Sequence, residues 1–176
     1  MDERYHPIPQ PEEISTRERQ DAMGAYLMMF ASLGVGLPLP LINLLAAVIY
    51  YFVNRKKSRF IHFHTLQSLI SQLPTSLLNA GAVFWTFSIL TSSGVTENVG
   101  EDFDPVFNFT DLYFGYIIMV VIANLVYIIF SLIAAVRAYN GRFYYMLFFG
   151  RLAYHYAYSK QSTIGEETVY TNRPPM

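Results

Sequence analysis

Charge is absent from three long stretches of this chain, and that absence narrows the folds open to it more than any motif does. No Asp, Glu, Lys or Arg occurs in Ala22–Val53, in Phe60–Thr96 or in Leu112–Val136. A run of ~20 apolar residues crosses the ~30 Å hydrocarbon layer of a bilayer as a helix. Between the stretches the charge is sorted by sign. Arg55, Lys56, Lys57 and Arg59 follow the first, while Glu97, Glu101, Asp102, Asp104 and Asp111 follow the second with no base among them. Basic residues near span ends collect on the cytoplasmic side, so the pattern reads as a polytopic membrane protein. Only 14% of residues are charged, against about 25% in a soluble domain.

The same composition removes several kinds of chemistry. A net charge of -1 gives no footprint for nucleic acid. Cysteine is absent, which excludes disulfides, thiolate catalysis and Cys-based metal sites. The acidic start (Asp2, Glu3, Glu12, Glu13, Glu18, Asp21) does not read as a secretory signal. No Gly-rich phosphate loop, nucleophile elbow or HExxH is present. His62 and His64 stand two residues apart, so on a helix they point to different sides and share no ion without further ligands. We therefore expect no catalytic, cofactor or metal residues, and a protein that is not an enzyme.

Along the chain, residues 1–14 carry Pro7, Pro9 and Pro11 and read as an extended N-terminal arm. A membrane helical domain is expected over 15–158 and a flexible tail over 159–176. Ser15-Thr16-Arg17-Glu18 fits a capping box, which starts a helix. As one straight helix, Ala22–Val53 would run about 48 Å, well over a bilayer core. Gly34-Val35-Gly36-Leu37-Pro38-Leu39-Pro40 breaks it. Two short helices, Ser15–Gly34 and Leu41–Asn54, joined as a hairpin are one reading. A single kinked and tilted span is the other. The next helix covers Phe60–Ser92 with Pro74 inside it. Leu112–Val136 is the cleanest span, with Asn140-Gly141 as its C-cap. Arg142–Tyr158, rich in aromatics, suits a helix lying in the headgroup region. The expected fold is all-α: a polytopic bundle of four helices, the first two a short hairpin, plus an interfacial C-terminal helix. The hairpin puts both termini on the cytoplasmic side; a single span would put the N-terminus outside.

At 100° per residue, His64, Ser68, Ser71, Gln72, Thr75 and Asn79 fall on one side of the second stretch. Such a face either lines a polar path or bonds to neighbouring helices. The Arg55, Lys56, Lys57 and Arg59 cluster is topogenic, and it could also meet anionic lipid. Asn108-Phe109-Thr110 in the acidic segment matches a glycosylation sequon.

Two segments carry a resemblance. One is Arg59-Phe60-Ile61-His62-Phe63-His64-Thr65-Leu66-Gln67-Ser68-Leu69; the other is Val136-Arg137-Ala138-Tyr139-Asn140-Gly141-Arg142-Phe143-Tyr144. Over roughly residues 20–150 the chain resembles a bacterial family of small uncharacterised membrane proteins. That family is related to the twenty-kilodalton channel subunit of the chloroplast inner-envelope (Tic) translocon. The resemblance implies four helices with both termini cytoplasmic. It also marks His64, Gln67, Asn140 and Gly141, which together with Arg137 form a candidate cytoplasmic-side motif. The acidic outer segment and the long aromatic C-terminal segment depart from the family pattern. The expected function is a non-enzymatic subunit or scaffold of a bacterial inner-membrane complex, associated with protein translocation or insertion. The alternative is a small channel or carrier along the 64–79 face. Expected partners are the lipid bilayer and either other membrane proteins or further copies of the chain, with no nucleic acid.

Overall fold

A computed structural model describes residues 6–31, 40–92 and 112–159. The Gly34–Pro40 break (apart from Pro40), the acidic segment with its sequon, and the tail beyond Ser159 lie outside these residues. The described residues form five α-helices and no strand: α1 Thr16–Leu27, α2 Pro40–Asn54, α3 Arg59–Ser92, α4 Leu112–Tyr139 and α5 Leu147–Tyr158. Two of them, α3 and α4, are long and apolar enough to cross a membrane.

The start of α1 follows from its capping box. The Glu18 amide donates to Ser15 Oγ at 3.3 Å, and the Glu18 carboxylate accepts from the Ser15 amide at 3.0 Å. Two orphan donors of the first turn are thereby satisfied. The helix ends at Leu27, earlier than expected, and a 3-10 turn Met28–Phe30 continues it. The partner helix α2 returns antiparallel. Lys57, just beyond its end, pairs with Asp21 at 2.9 Å, and the Tyr50 hydroxyl donates to the Asp21 carbonyl at 2.8 Å. A single kinked span would hold these groups at opposite ends, so the two segments form a hairpin.

The central helix is α3, which packs against α1, α2, α4 and α5. Ser58 caps it, its Oγ accepting from the Ile61 amide at 3.2 Å. Pro74 sits inside the helix without ending it. At the far end of α4, Gly141 takes φ 69°. The Gly141 amide reaches the Ala138 carbonyl and the Arg142 amide reaches the Arg137 carbonyl, each at 2.9 Å. That pair of bonds is a Schellman cap, and its left-handed position favours glycine.

The expected helix over 142–158 is shorter in the structure, because residues 142–146 are not helical. Their backbone groups bond elsewhere, as described below. The chain enters α5 through Leu147 at φ 31°. Gly150 then lets α5 close on the preceding segment; a Cβ there would lie 2.6 Å from Tyr145 Cα.

One core cluster joins the cap region of α1 to the end of α4. It holds Ile14, Ala22, Tyr26, Phe60, Ala134, Ala135, Ala138 and Met146. The three alanines of α4 let α1 approach closely. The preceding residues 6–14 are fastened there too. The His6 amide donates to the Tyr158 carbonyl at 2.8 Å, and Arg19 donates to the Pro11 and Ile14 carbonyls. The outer faces carry Leu45, Ile49 and Phe52 on α2, Leu77, Phe84 and Phe87 on α3, and Ile122, Leu125 and Ile129 on α4, all exposed. A soluble monomer rarely exposes so continuous an apolar surface. Hydrocarbon is its natural solvent.

Candidate functional site: a polar seam on the central helix

The polar side of α3 points inward. His64, Gln67, Ser68, Ser71 and Gln72 are each no more than 3% exposed. At its N-terminal end the bonding is directional. The Gln67 side-chain amide donates to the Tyr144 carbonyl at 2.9 Å, and its oxygen accepts from the Met146 amide at 3.4 Å. Those two contacts fix which end of the amide is which. The second amide proton of Gln67 then goes to the Tyr26 hydroxyl at 2.8 Å. The same Tyr26 hydroxyl shares a hydrogen bond with His64 Nδ1 at 2.9 Å, whose direction follows the imidazole tautomer. The His64 ring sits among Phe60, Phe63 and Phe143, at centroid distances of 4.5, 4.9 and 5.8 Å. One chain of hydrogen bonds thus ties α1, α3 and the segment leading to α5.

One turn on, Ser68 Oγ donates to the Ala25 carbonyl of α1 at 2.8 Å. Ser71 and Thr75 bond back to the Ser68 and Gln72 carbonyls of their own helix at 3.0 Å each. Further along, Asn79 and Asn124 exchange two amide bonds, at 3.0 and 2.8 Å. Beside them lies a cavity of about 230 Å³, lined in part by Asn43, Gln72, Thr75, Ser76, Asn79 and Asn124. The six positions expected to form one face therefore divide. His64 and Ser68 are sealed against α1, Ser71 is buried, and Gln72, Thr75 and Asn79 border the cavity.

The expected cytoplasmic motif divides as well. His64 and Gln67 meet Phe143, Tyr144 and Met146. Arg137 and Asn140 are exposed at the end of α4, while Gly141 is buried there. A Cβ at Gly141 would lie 3.2 Å from Pro11 backbone atoms. Within the basic cluster, Lys57 pairs with Asp21. The Arg55 guanidinium lies 4.8 Å from the Phe52 ring centroid, and Arg59 donates to the Ala157 carbonyl at 3.2 Å. Lys56 is exposed. Tyr26, Tyr144 and Met146 were not legible as partners of His64 and Gln67. No spacing rule links Tyr26 to a residue 38 positions away. Among the described residues no three His, Asp or Glu side chains gather as a metal site.

These features define a small helical membrane protein whose polar interior joins helix to helix. The chain belongs to the magnetosome magnetite crystal formation protein family, whose model matches residues 17–153. The expectation of a bacterial family of small membrane proteins is met; the expected relation to the plastid translocon finds no support. No curated protein matches the chain, and no solved structure matches it.

Proposed function

We propose that this protein is a non-enzymatic, multi-pass membrane component that acts as a scaffold subunit, presenting surfaces to membrane partners. The observation that carries this reading is the seam on α3. Its His64, Gln67, Ser68 and Asn79 side chains hold α1, α4 and the segment before α5 in place. Polar groups of the kind a membrane enzyme uses for proton transfer here serve to join helices. Membership in a family described by magnetite crystal formation supports a membrane-associated, non-enzymatic role. In that setting the protein organises a membrane and its partners.

In this reading α3 and α4 cross the bilayer, and α1–α2 is a re-entrant hairpin. At about 22 Å, α2 is too short to span alone. Arg55, Lys56, Arg59, Arg137 and Arg142 gather at the end where Phe60, Ala138 and Met146 share one core. That end faces the cytoplasm by the positive-inside rule, and His6 and Tyr158, which meet through a backbone hydrogen bond, share that side in this reading. A solute path along the whole 64–79 face is disfavoured, because Tyr26 and the Ala25 carbonyl close its His64–Ser68 end.

The test is extraction from native membranes into lipid nanodiscs, followed by mass measurement of the intact particle. A stoichiometric second membrane protein is expected. Recovery of a lone monomer or homo-oligomer under the gentlest extraction would overturn the scaffold reading.

A further inference from the structure

We propose that the cavity beside the Asn79–Asn124 pair is a hydrated site, taking water and comparably small neutral hydrogen-bond donors within the membrane. It lies on α3 between α2 and α4, with the Met28–Phe30 turn at its edge. Three observations on its walls lead there. The Gln72 side chain is 3% exposed and lines the cavity, yet its Oε1 accepts no hydrogen bond from any described protein group. Asn79 Oδ1 and Asn124 Oδ1 each accept one bond from the other amide and keep a second lone pair. The Thr75 hydroxyl gives its proton to the Gln72 carbonyl and is left as an acceptor.

The wall therefore offers several oxygen acceptors together with the Ser76 and Tyr127 hydroxyls, and none of its lining residues is Asp, Glu, Lys, Arg or His. A charged ligand finds no counter-charge there. A small neutral donor finds several oxygens at once. Its volume of about 230 Å³ exceeds the ~30 Å³ share of one liquid water several times over. A buried acceptor facing hydrocarbon is costly, and polar cavities at membrane depth are tolerated where water fills them.

Two measurements test this, and neither depends on the scaffold reading. The first uses the unmutated protein in liposomes and millisecond X-ray radiolysis, which oxidises side chains next to water. Met29 lines the cavity and is only 7% exposed, whereas Met119 faces outward from α4 and is 46% exposed. Hydration predicts that Met29 oxidises at least fivefold faster than Met119 despite its deeper burial. Met29 oxidation at or below the Met119 rate would show a dry cavity and overturn the proposal. The second exploits the natural absence of cysteine. Ser76→Cys in the cavity wall is expected to react with small, neutral methyl methanethiosulfonate, because a thiol ionises to the reactive thiolate only beside water, and Leu77→Cys, one residue away and 77% exposed to lipid, is expected not to. Equal inertness of the two thiols, with Lys56→Cys reacting normally, counts against an aqueous cavity.

Discussion

Asn79 and Asn124 face each other amide to amide, each donating to the other's oxygen across the α3–α4 contact. Asn124 adds a bond to the Val120 carbonyl of its own helix at 2.8 Å. Interhelical hydrogen bonds in membranes average about 0.6 kcal/mol and reach about 1.7. Removing one partner also strands the other amide, which costs about 1–3 kcal/mol. Asn79→Leu and Asn124→Leu should each lower unfolding free energy by about 1–3 kcal/mol in a steric-trapping measurement. The double variant should cost less than the sum, because no stranded amide remains. Additive losses would remove the pair as a unit.

A second relationship occurs twice. Tyr50 lies over Gly24 and bonds to the Asp21 carbonyl; Tyr116 lies over Gly81 and bonds to the Leu78 carbonyl at 2.8 Å. In both, the carbonyl is three residues before the glycine. A helical Cβ tilts toward the preceding turn, so its absence uncovers that carbonyl. Gly24→Ala and Gly81→Ala should both destabilise by about 1–3 kcal/mol, the range for overpacking. Rescue should differ. Without its hydroxyl, Tyr116 leaves the new Cβ 3.4 Å from the ring, whereas Tyr50 leaves it at 3.1 Å. Tyr116→Phe should therefore restore much of the Gly81→Ala loss, and Tyr50→Phe little of the Gly24→Ala loss, as read by thermal unfolding.

Gln67 saturates three partners on two other segments. Gln67→Leu orphans the Tyr144 carbonyl and the Met146 amide at once, for a loss of about 3 kcal/mol or more. Tyr26→Phe should cost about 1–3 kcal/mol on the same grounds. The signature of Gln67→Leu is local: amide exchange over residues 143–150 should rise more than over α4. Uniform acceleration would mean that Gln67 supports the whole bundle and not this joint.

The hairpin makes a topological prediction. Gln20 and Lys56 are both exposed, beside the two members of the Asp21–Lys57 pair. Gln20→Cys and Lys56→Cys should label from the same side of sealed vesicles. Labelling from opposite sides would restore the single tilted span. The Lys57–Asp21 pair itself, with side chains 39% and 23% exposed, should contribute no more than about 1 kcal/mol and less at high salt.

Much of this was legible because it is local. The uncharged run Leu112–Val136 announced α4, Ser15 and Glu18 announced the start of α1, and Gly141 announced the end of α4. The inward face of α3 was legible from its 100° spacing. Its division was not, because which turn of α3 meets α1 and which meets a cavity depends on where other helices cross. Tyr26 stayed hidden for the same reason. It stands on a short helix with Arg17, Glu18, Arg19, Gln20 and Asp21, where nothing marks one tyrosine as the partner of a histidine in the next apolar stretch. The helical expectation over 142–146 failed because Gln67 takes two of that segment's backbone groups, a contact 77 and 79 residues distant.

The fastening of α1 onto Ala134, Ala135 and Ala138, and of His6 onto Tyr158, sets an order of assembly. A ribosome makes α1 first, but the alanine seat of α1 emerges more than a hundred residues later, on the order of 10 s at ordinary elongation rates. Until then the Tyr26 hydroxyl can find His64 but not the joint that Gln67 makes with Tyr144. The packing of α1 is thus completed only once the end of α4 has emerged, long after α1 itself and its α3 partners His64 and Ser68 have been made.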